Sequence, residues 1–225
     1  MNVAIIPARK GSKSIINKNL KKIGGKTLVE RTILSAIDSG VFDKIILTTD
    51  IPTLVDDYAD SRQVIVRPRA NELSGDMASM VDVVVDVLKC FKFPNPLCWL
   101  LQPTAPFRKK SDYAEIAKAF RADMTRSLIS LSRVGDNHPN RMYTIKNNIL
   151  HPLRFTNFEN KQALPEVFIR SGHYYVFYQN DFLKEKKFYL HPCSWILIDE
   201  ERAVNIDGPV DLLLAQKIYA EGILK

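Results

Sequence analysis

The chain has 225 residues, of which 46% are hydrophobic and 25% charged, with 9 Gly and 12 Pro. This length and composition predict one large α/β domain, or one domain with a subdomain, and they exclude a mainly disordered chain and a long multidomain protein. The 32 Lys and Arg residues against 25 Asp and Glu leave a net charge of +7, which favours anionic partners such as nucleotides, sugar acids, nucleic acid or a membrane surface without choosing among them.

The first half of the chain alternates short apolar runs with helical patterns. Residues 3–6 form a continuous β-branched run, typical of a parallel strand buried on both faces. Between this run and the next one at 44–50, residues 26–39 place apolar side chains at helical spacing, and Gly40 follows as a helix C-cap. The pattern continues with strands at 64–68, 97–103 and 127–134 and with helices at 53–62, 79–93 and 111–123. Such alternation predicts a mostly parallel, Rossmann-like wound sheet with right-handed crossovers.

The alternation breaks at about Gly135. Two strand-like runs flank Asn147 and Asn148, which predicts a hairpin, and residues 135–170 are interpreted as an antiparallel excursion from the main sheet. A strand at 172–177 and a helix opened by Pro209 complete the chain. A monomer would leave the apolar side chains of the excursion partly exposed, so we predict a homodimer formed through it. These side chains are Met142, Tyr143, Ile145, Ile149, Leu150, Leu153 and Phe155.

Several classes of function are disfavoured by what the sequence lacks. Cys90, Cys98 and Cys193 do not have the paired short spacing of a zinc or redox motif, and the 4 histidines lack metal-ligand spacing. No basic stripe is interleaved with aromatic residues, so nucleic acid is not expected as a partner. The first apolar stretch is too short for a signal peptide or a membrane span, and we therefore expect a cytoplasmic protein without a membrane partner.

The strongest local signal is the loop after the first strand, residues 7–19, with the sequence PARKGSKSIINKN. In an open α/β sheet, ligands bind outside the carboxyl ends of the strands, where this loop begins. Gly11 lets backbone amides approach oxygen atoms, Ser12 can donate a hydroxyl, and the cations neutralise charge on a phosphorus centre. We predict a polyphosphate site here, with a solvated basic loop as the alternative. The candidates are Arg9, Lys10, Gly11, Ser12, Lys13, Lys18 and Asn19.

Two common phosphate-binding motifs are excluded. The segment GGKT at 24–27 resembles the end of a P-loop, but the position five residues before Gly25 is Leu20 rather than glycine. No GxGxxG follows the first strand, which argues against a dinucleotide-dependent dehydrogenase.

Two further segments carry polar side chains at predicted strand ends. In LLQPTAPFR, Gln102 stands in a rigid exit loop with Pro103 and Pro106, where its amide either contacts a ligand or has a structural role. In VNID, Asp207 ends a predicted strand just before the helix at Pro209. An aspartate at that position is either a helix N-cap or a metal ligand.

The chain carries six segments in a fixed order: PARKGSKSIINKN, a strand ending TTD, RPRANELSGDMAS, LLQPTAPFR, ALPEVFIRSGHYYVF and VNIDGPVDLLLA. This combination resembles the acylneuraminate cytidylyltransferases, the CMP-sialic acid synthetase family, over nearly the whole chain. The combination is specific, whereas any single segment would be weak. The resemblance implies a single domain over 1–225 with a wound α/β sheet of the nucleotidyltransferase type, with CTP and a nonulosonic sugar acid as substrates.

The resemblance also implies roles for individual residues. In that family the first loop holds the triphosphate of CTP, which implies phosphate contacts for Arg9, Gly11, Ser12 and Lys18, with Asn19 nearby. Gln102 matches a glutamine near the sugar acid and the nucleotide.

On the sugar side, HPNR at 138–141 and the IRSG around Arg170 match family segments. Arg141 and Arg170 are therefore candidates for binding the substrate carboxylate or its glycerol-like tail.

The family uses Mg²⁺ held near the triphosphate by aspartate from an IDID-like segment, and VNID is the matching segment here. Asp207 aligns with the second aspartate, while Asn205 takes the place of the first and leaves one fewer anionic ligand. The loop also departs from the usual GGSKGIP, because Lys10, Ser14 and Ile16 replace two glycines and a proline. The number of metal ions is therefore open.

These inferences predict an Mg²⁺-dependent transferase in which the anomeric hydroxyl of a keto sugar acid attacks the α-phosphorus of CTP and pyrophosphate leaves. Lys18, Arg9, Gln102 and Asp207 are the predicted catalytic residues. The general base is either a metal-bound water or Asp207. Two alternatives remain: a cytidylyltransferase for an eight-carbon keto sugar acid, and a non-catalytic nucleotide-binding protein of the same fold.

Overall fold

The computed structural model describes residues 1–75, 77–91, 93–122, 125–153 and 164–223. The strands in these ranges are β1 Asn2–Ala8, β2 Lys22–Ile23, β3 Lys26–Thr27, β4 Lys44–Thr49, β5 Val64–Pro68, β6 Leu97–Leu100, β7 Ser127–Arg133, β8 Tyr143–Lys146, β9 Ile149–Pro152, β10 Phe168–Tyr178 and β11 Cys193–Leu197. The helices are α1 Leu28–Ser39, α2 Pro52–Asp57, α3 Met80–Cys90, α4 Lys110–Ala122, α5 Gln179–Glu185 and α6 Pro209–Ala220.

Seven of these strands form the central sheet, in the order β11-β7-β10-β6-β1-β4-β5. Strand β1 pairs in parallel with β4 and β6, β4 with β5, and β7 with β11. Strand β10 is antiparallel to both of its neighbours, β6 and β7. The predicted α/β fold with a mostly parallel wound sheet is confirmed.

Helix α1 shows how local sequence sets the element ends. Thr27 accepts a hydrogen bond from the Glu30 backbone N–H, and the Glu30 carboxylate accepts one from the Thr27 N–H, which completes a capping box. At the other end Gly40 adopts φ 68°, a left-handed conformation that glycine reaches without a Cβ clash. Both ends lie within a residue or two of the predicted bounds.

The core lies on both faces of the sheet. On one face, alternate β1 residues such as Ile6 pack with buried side chains of α1 and α4; on the other, Ile5 packs with those of α3 and α5. Trp99, Tyr113 and Tyr174 are fully buried in the first cluster. Burial on both faces explains why the central strands are continuous apolar runs.

The sequence patterns do not predict α5 or β11, and two predicted elements differ in the structure. Helix α2 ends at Asp57, short of the predicted residue 62, because the Ser61 hydroxyl accepts hydrogen bonds from the Gln63 and Val64 N–H groups and forms a turn instead. Residues 204–207 form no strand, since this segment is joined to its neighbour by the Ile206 N–H to Thr104 carbonyl bond at 2.8 Å rather than by a ladder.

The predicted hairpin is present as β8 and β9. Asn147 and Asn148 have φ 52° and 60°, the two positive values that a tight type I′ turn requires and that asparagine tolerates. Residues 154–163, including Phe155, lie outside the described part of the chain. The predicted excursion through residue 170 ends earlier, because Phe168 to Arg170 already pair with β7 in the main sheet. Among the described helices, none has the length and apolar character needed to cross a membrane.

Candidate active site

A pocket of about 170 Å³ lies at the carboxyl ends of β1 and β6. Six of the predicted site residues line it: Arg9, Gly11, Ser12, Lys18, Asn19 and Gln102. The first five come from the loop after β1 and the sixth from the segment after β6, so two neighbouring parallel strands deliver both groups to one edge of the sheet. This pocket is called the front pocket below.

The loop of residues 7–19 is tied to its surroundings through backbone atoms. The Lys10 N–H donates to Asp50 Oδ1 at 2.7 Å, and the buried Asn19 Nδ2 donates to the Arg9 carbonyl at 3.0 Å. Arg9 Nη1 donates to the Ser74 carbonyl at 3.3 Å. These bonds fix the loop while leaving the Ser12 hydroxyl and the Gly11 backbone at the pocket surface, which suits binding of phosphate oxygens.

Lys18 joins the first loop to the segment that carries Asp207. Its ammonium group donates to the Ile206 carbonyl at 3.0 Å and lies 3.5 Å from Asp207 Oδ1. The second oxygen of Asp207 accepts a hydrogen bond from Asn205 Nδ2 at 2.7 Å. The Asp207 side chain remains 73% exposed, so its carboxylate is accessible to solvent, but neither Asp207 nor Asn205 lines the front pocket itself.

The structure separates the two interpretations of Asp207. Helix α6 is capped by the Asp211 carboxylate, which accepts hydrogen bonds from the Asp207 and Gly208 N–H groups at 2.9 and 2.7 Å. Gly208 is the N-cap residue, and the Asp207 carboxylate takes no part in capping. The side chain of Asp207 is thus available for a ligand.

Strand β10 approaches both Gln102 and Asn205 at Gly172. The β7–β10 register shifts between Arg170 and Tyr175, and Gly172 within this bulge has φ +78°. A Cβ at this position would lie 3.4 Å from Gln102 Oε1 and 3.5 Å from Asn205 Oδ1. Glycine therefore lets the strand backbone come close to the two amide side chains.

Arg108 holds the segment that carries Gln102. Its guanidinium donates to the carbonyls of Gln102 and Ala105 at 2.8 Å, and to the His173 carbonyl at 3.0 and 3.2 Å. One further contact reaches Thr32 Oγ1 at 3.4 Å. Arg108 thereby fastens the turn after β6 to β10, and a planar group with five donors suits this task.

A buried histidine fastens the segment that carries Asp207. His173 is fully buried; burial, with a contribution from the Arg108 charge, lowers its pKa to about 3. The ring is therefore neutral, and its Nε2 donates to the Arg202 carbonyl at 3.0 Å. Arg202 in turn forms a buried ion pair with Asp112, at 2.6 and 3.1 Å. We call Arg108, His173 and Arg202 the rear clamp.

Sequence reasoning missed the rear clamp and one residue of the front pocket. Arg69 is buried, lines the pocket and donates through Nη2 to the Thr48 carbonyl at 3.1 Å. Its Nε has no partner among the described residues, and burial lowers its pKa. The signal in the sequence is the basic residue directly after β5, in the segment RPRAN.

The two residues predicted for the sugar side, Arg141 and Arg170, lie apart from the front pocket. Arg141 is exposed and pairs with Asp136 at 3.0 Å, just before the β8–β9 hairpin. Arg170 is exposed near the start of β10, opposite Leu131 of β7. Neither side chain lines the pocket that contains Gln102.

The oxygen atoms near Lys18 suit a hard divalent cation. Within the described ranges no group of three or more His, Cys, Asp or Glu residues could hold a metal ion. Mg²⁺ in nucleotide sites needs only one or two protein carboxylates, because substrate phosphates and water supply the other ligands. One exposed carboxylate, Asp207, with the amide of Asn205 beside it, fits that requirement.

Residues 3–191 match the family model described as Cytidylyltransferase. The chain belongs to the cytidylyltransferase family. It is 27% identical to a CMP-N,N'-diacetyllegionaminic acid synthase of Legionella pneumophila, over 96% of this chain and 95% of that protein. It is 29% identical to an N-acylneuraminate cytidylyltransferase of Streptococcus agalactiae over 94% of this chain, and it spans only 51% of that longer relative.

A comparison with solved structures agrees with the fold described above. A solved CMP:2-keto-3-deoxy-manno-octonic acid synthetase complexed with CTP superimposes with a TM-score of 0.70 and 15% sequence identity, covering 98% of both chains. This likeness establishes the α/β nucleotidyltransferase fold, and the sequence relatives establish the family.

Proposed function

We propose that this cytidylyltransferase transfers CMP from CTP to the anomeric hydroxyl of a sialic-acid-like nonulosonic acid and releases pyrophosphate. The observation that carries the proposal is the front pocket, where the loop after β1 and Gln102 meet beside the Lys18–Asp207 pair. The sequence relatives act on acids of this class by name, which favours a nonulosonic acid over other acceptors.

The basic loop provides the nucleotide half of the site. Lys18, Arg9 and the Ser12 hydroxyl supply positive charge and donors to the triphosphate, with the Gly11 backbone close to its oxygens. Arg69 adds a buried cation with an unused Nε donor at the wall of the same pocket.

The reaction requires little covalent chemistry from the protein. The sugar hydroxyl oxygen forms a bond to the α-phosphorus, the bond from that phosphorus to the pyrophosphate oxygen breaks, and the hydroxyl proton leaves with a base. Gln102, held through its carbonyl by Arg108, orients the acceptor, while Lys18 stabilises the charge that grows on the phosphoryl oxygens. Asp207 lies 3.5 Å from Lys18 and keeps its ammonium group at the pocket.

Mg²⁺ is part of the proposal. Asp207, with the amide oxygen of Asn205, would hold it next to the triphosphate, where it would neutralise phosphate charge during displacement. Because Asn205 donates to Asp207 instead of adding a second negative charge, we expect one protein-bound ion rather than two.

Pyrophosphate release tests the activity. Purified protein is incubated with CTP, Mg²⁺ and a panel of keto sugar acids that includes neuraminic, legionaminic and pseudaminic acids and an eight-carbon acid. We expect release with at least one nine-carbon acid and none without an acceptor. Release with the eight-carbon acid alone would replace the proposed substrate class, and no release with any acid would refute the transferase.

The exposed hairpin supports a homodimer. The side chains of Tyr143, Ile145, Ile149 and Leu150 are each 55–74% exposed, an apolar surface that a second copy would cover. Arg141 precedes this hairpin, and we propose that it reaches the sugar end of the partner's site, while Arg170 serves its own site from β10. Both would bind the sugar carboxylate or tail.

Light scattering at micromolar concentration tests the dimer. We expect a dimer for the unaltered protein and a monomer for Ile145→Asp combined with Leu150→Asp. A monomer without any substitution would refute the interface. We place the reaction in the cytoplasm, because CTP is supplied there.

A further inference from the structure

A second cavity, of about 390 Å³, adjoins the segment that carries Gln102 but lies at its other end. The front pocket contacts residues 102–104, whereas this cavity contacts residues 106–109 together with α1 and the end of α6. We call it the rear cavity. Its lining includes Arg108 and Arg202, the two arginines of the rear clamp.

The rear cavity is strongly basic. Arg31, Arg108, Lys109 and Arg202 all line it, with Glu221 as the acidic member of the lining. Glu221 pairs with Lys217, Arg202 is neutralised by Asp112, and Lys109 pairs with Asp199 at 3.4 Å. Within the described ranges neither Arg31 nor Arg108 has a carboxylate within ion-pair distance, and carbonyl acceptors leave the charge of Arg108 uncancelled. Two positive charges therefore remain without a neutralising partner.

The same cavity offers flat apolar surfaces in fixed positions. The Arg31 guanidinium lies over the Tyr219 ring, 4.7 Å from its centroid, and 5.8 Å from the centroid of Phe107. Gly24 packs directly against the Tyr219 ring, where any Cβ would overlap it, so the ring is held from behind. Tyr219 is nevertheless 43% exposed and presents part of its ring to the cavity.

We propose that the rear cavity is a second nucleotide-binding site, which takes a nucleoside phosphate as an inhibitor. Its base would pack against the exposed part of Tyr219 and the Arg31 guanidinium that lies over this ring, and its phosphate would face Arg108 and Lys109. A cavity of this size falls in the range of small-ligand sites. Two arginines without carboxylate partners beside a partly exposed tyrosine ring suit an anion that carries a planar ring better than either a free anion or a neutral ring.

Arg108 couples ligand binding in the rear cavity to the front pocket. All of its N–H groups already have acceptors, three of which are the carbonyls of Gln102, Ala105 and His173. A phosphate gains a direct contact with Arg108 only by taking one of these hydrogen bonds. The turn that carries Gln102 is then less firmly held, so the bound nucleotide lowers turnover. This consequence for turnover rests on the proposed transferase activity, whereas the binding itself does not.

Calorimetric titration of a front-pocket variant tests the binding. In Arg9→Ala/Lys18→Ala, CMP is expected to bind with one molecule per chain, and more tightly than either cytidine or inorganic pyrophosphate. Adding Arg31→Leu should weaken CMP at least tenfold. Adding Arg62→Leu, which removes the same charge from an exposed residue outside the rear cavity, should change nothing. Lys109→Gln, at a half-exposed side chain, should weaken CMP severalfold without lowering the melting temperature.

The outcomes separate the alternatives. Absence of CMP binding to the front-pocket variant, or binding that is indifferent to both Arg31→Leu and Lys109→Gln, overturns the site. Pyrophosphate binding as tightly as CMP overturns the role of the rings. In the active enzyme, one component of the inhibition of pyrophosphate release by CMP should be non-competitive with CTP. Arg31→Leu should abolish this non-competitive component. Purely competitive inhibition would overturn the coupling, and it would leave both the binding result and the transferase assignment standing.

Discussion

The front pocket and the rear clamp each contain a basic side chain, Lys18 and Arg108, but the groups that surround these two side chains differ. Lys18 in the front pocket is balanced by a mostly exposed carboxylate at 3.5 Å, and its loop is fixed through backbone bonds. Arg108 in the rear clamp lies among carbonyls, beside a fully buried histidine. The difference teaches that Lys18 lies at a pocket surface beside an exposed carboxylate, whereas the N–H groups of Arg108 hold two segments together through their carbonyls. Substitutions should therefore separate turnover from stability.

Replacing Lys18 should give the largest effect. Lys18→Ala removes the cation next to the triphosphate, and we expect turnover to fall by about 100-fold or more while the melting temperature is unchanged. Pyrophosphate release and thermal unfolding by circular dichroism measure the two quantities. Lys21→Ala, at an exposed lysine just beyond the same loop, serves as the control. Normal turnover in Lys18→Ala would remove the front pocket from the mechanism.

Asp207→Asn tests whether the carboxylate beside Lys18 binds a metal ion or only contributes to stability. If the carboxylate holds Mg²⁺, activity should fall by about tenfold or more and the Mg²⁺ concentration for half-maximal activity should rise. The melting temperature without metal should not move, because Asp211 rather than Asp207 caps α6. Asp211→Ala should show the reverse pattern, losing about 1 kcal/mol of stability and little activity. Near-normal activity of Asp207→Asn at limiting Mg²⁺ would place the metal elsewhere.

Arg108→Lys tests whether the rear clamp also positions Gln102. Lysine cannot reproduce a planar fork that reaches three carbonyls, so we expect kcat to fall about tenfold, KM for CTP to stay within about twofold, and the melting temperature to drop by several degrees. Lys109→Arg, at the neighbouring half-exposed residue, is the matched control. A lower melting temperature with unchanged kcat would reduce the clamp to a stabilising element and break its link to the front pocket.

The smallest expected effect is a pH dependence of the free energy of unfolding, and it arises from His173 in the rear clamp. His173 has a pKa lowered from 6.5 to about 3, so between these values the unfolded chain binds a proton that the folded chain excludes. Stability should fall as pH decreases through that window, by about 2 kcal/mol at pH 5, and be unaffected above it. Urea unfolding of His173→Gln should show a flatter pH dependence, whereas His151→Gln, at an exposed histidine, should keep the slope.

The sequence predicts the fold well where one rule acts alone. Apolar runs such as residues 3–6 mark strands buried on both faces, and the Thr27, Glu30 and Gly40 signals set the ends of α1. Helix α2 ends earlier than the apolar periodicity predicts, because the Ser61 side chain competes with helical hydrogen bonding and periodicity does not register this competition.

The residues of the candidate site also divide into those that the sequence predicts and those that it does not. Loop residues 9–19 and Gln102 could be placed together because strand ends of a parallel sheet share one edge. The rear clamp could not, since Arg108, His173 and Arg202 are far apart in sequence and meet only after β10 inserts antiparallel between β6 and β7. An arginine that donates hydrogen bonds to backbone carbonyls does not belong to a recognisable sequence motif.

The position of β10 has a consequence for how the chain folds during synthesis. Strands β1, β4, β5 and β6 can assemble as soon as they leave the ribosome, but β7 is not adjacent to any of them. Both neighbours of β7, namely β10 and β11, follow it in the chain, so β7 emerges with two unpaired edges and waits for Phe168–Tyr178. Translation of the stretch between β7 and β10 is thus the interval in which the nascent protein is most open to aggregation.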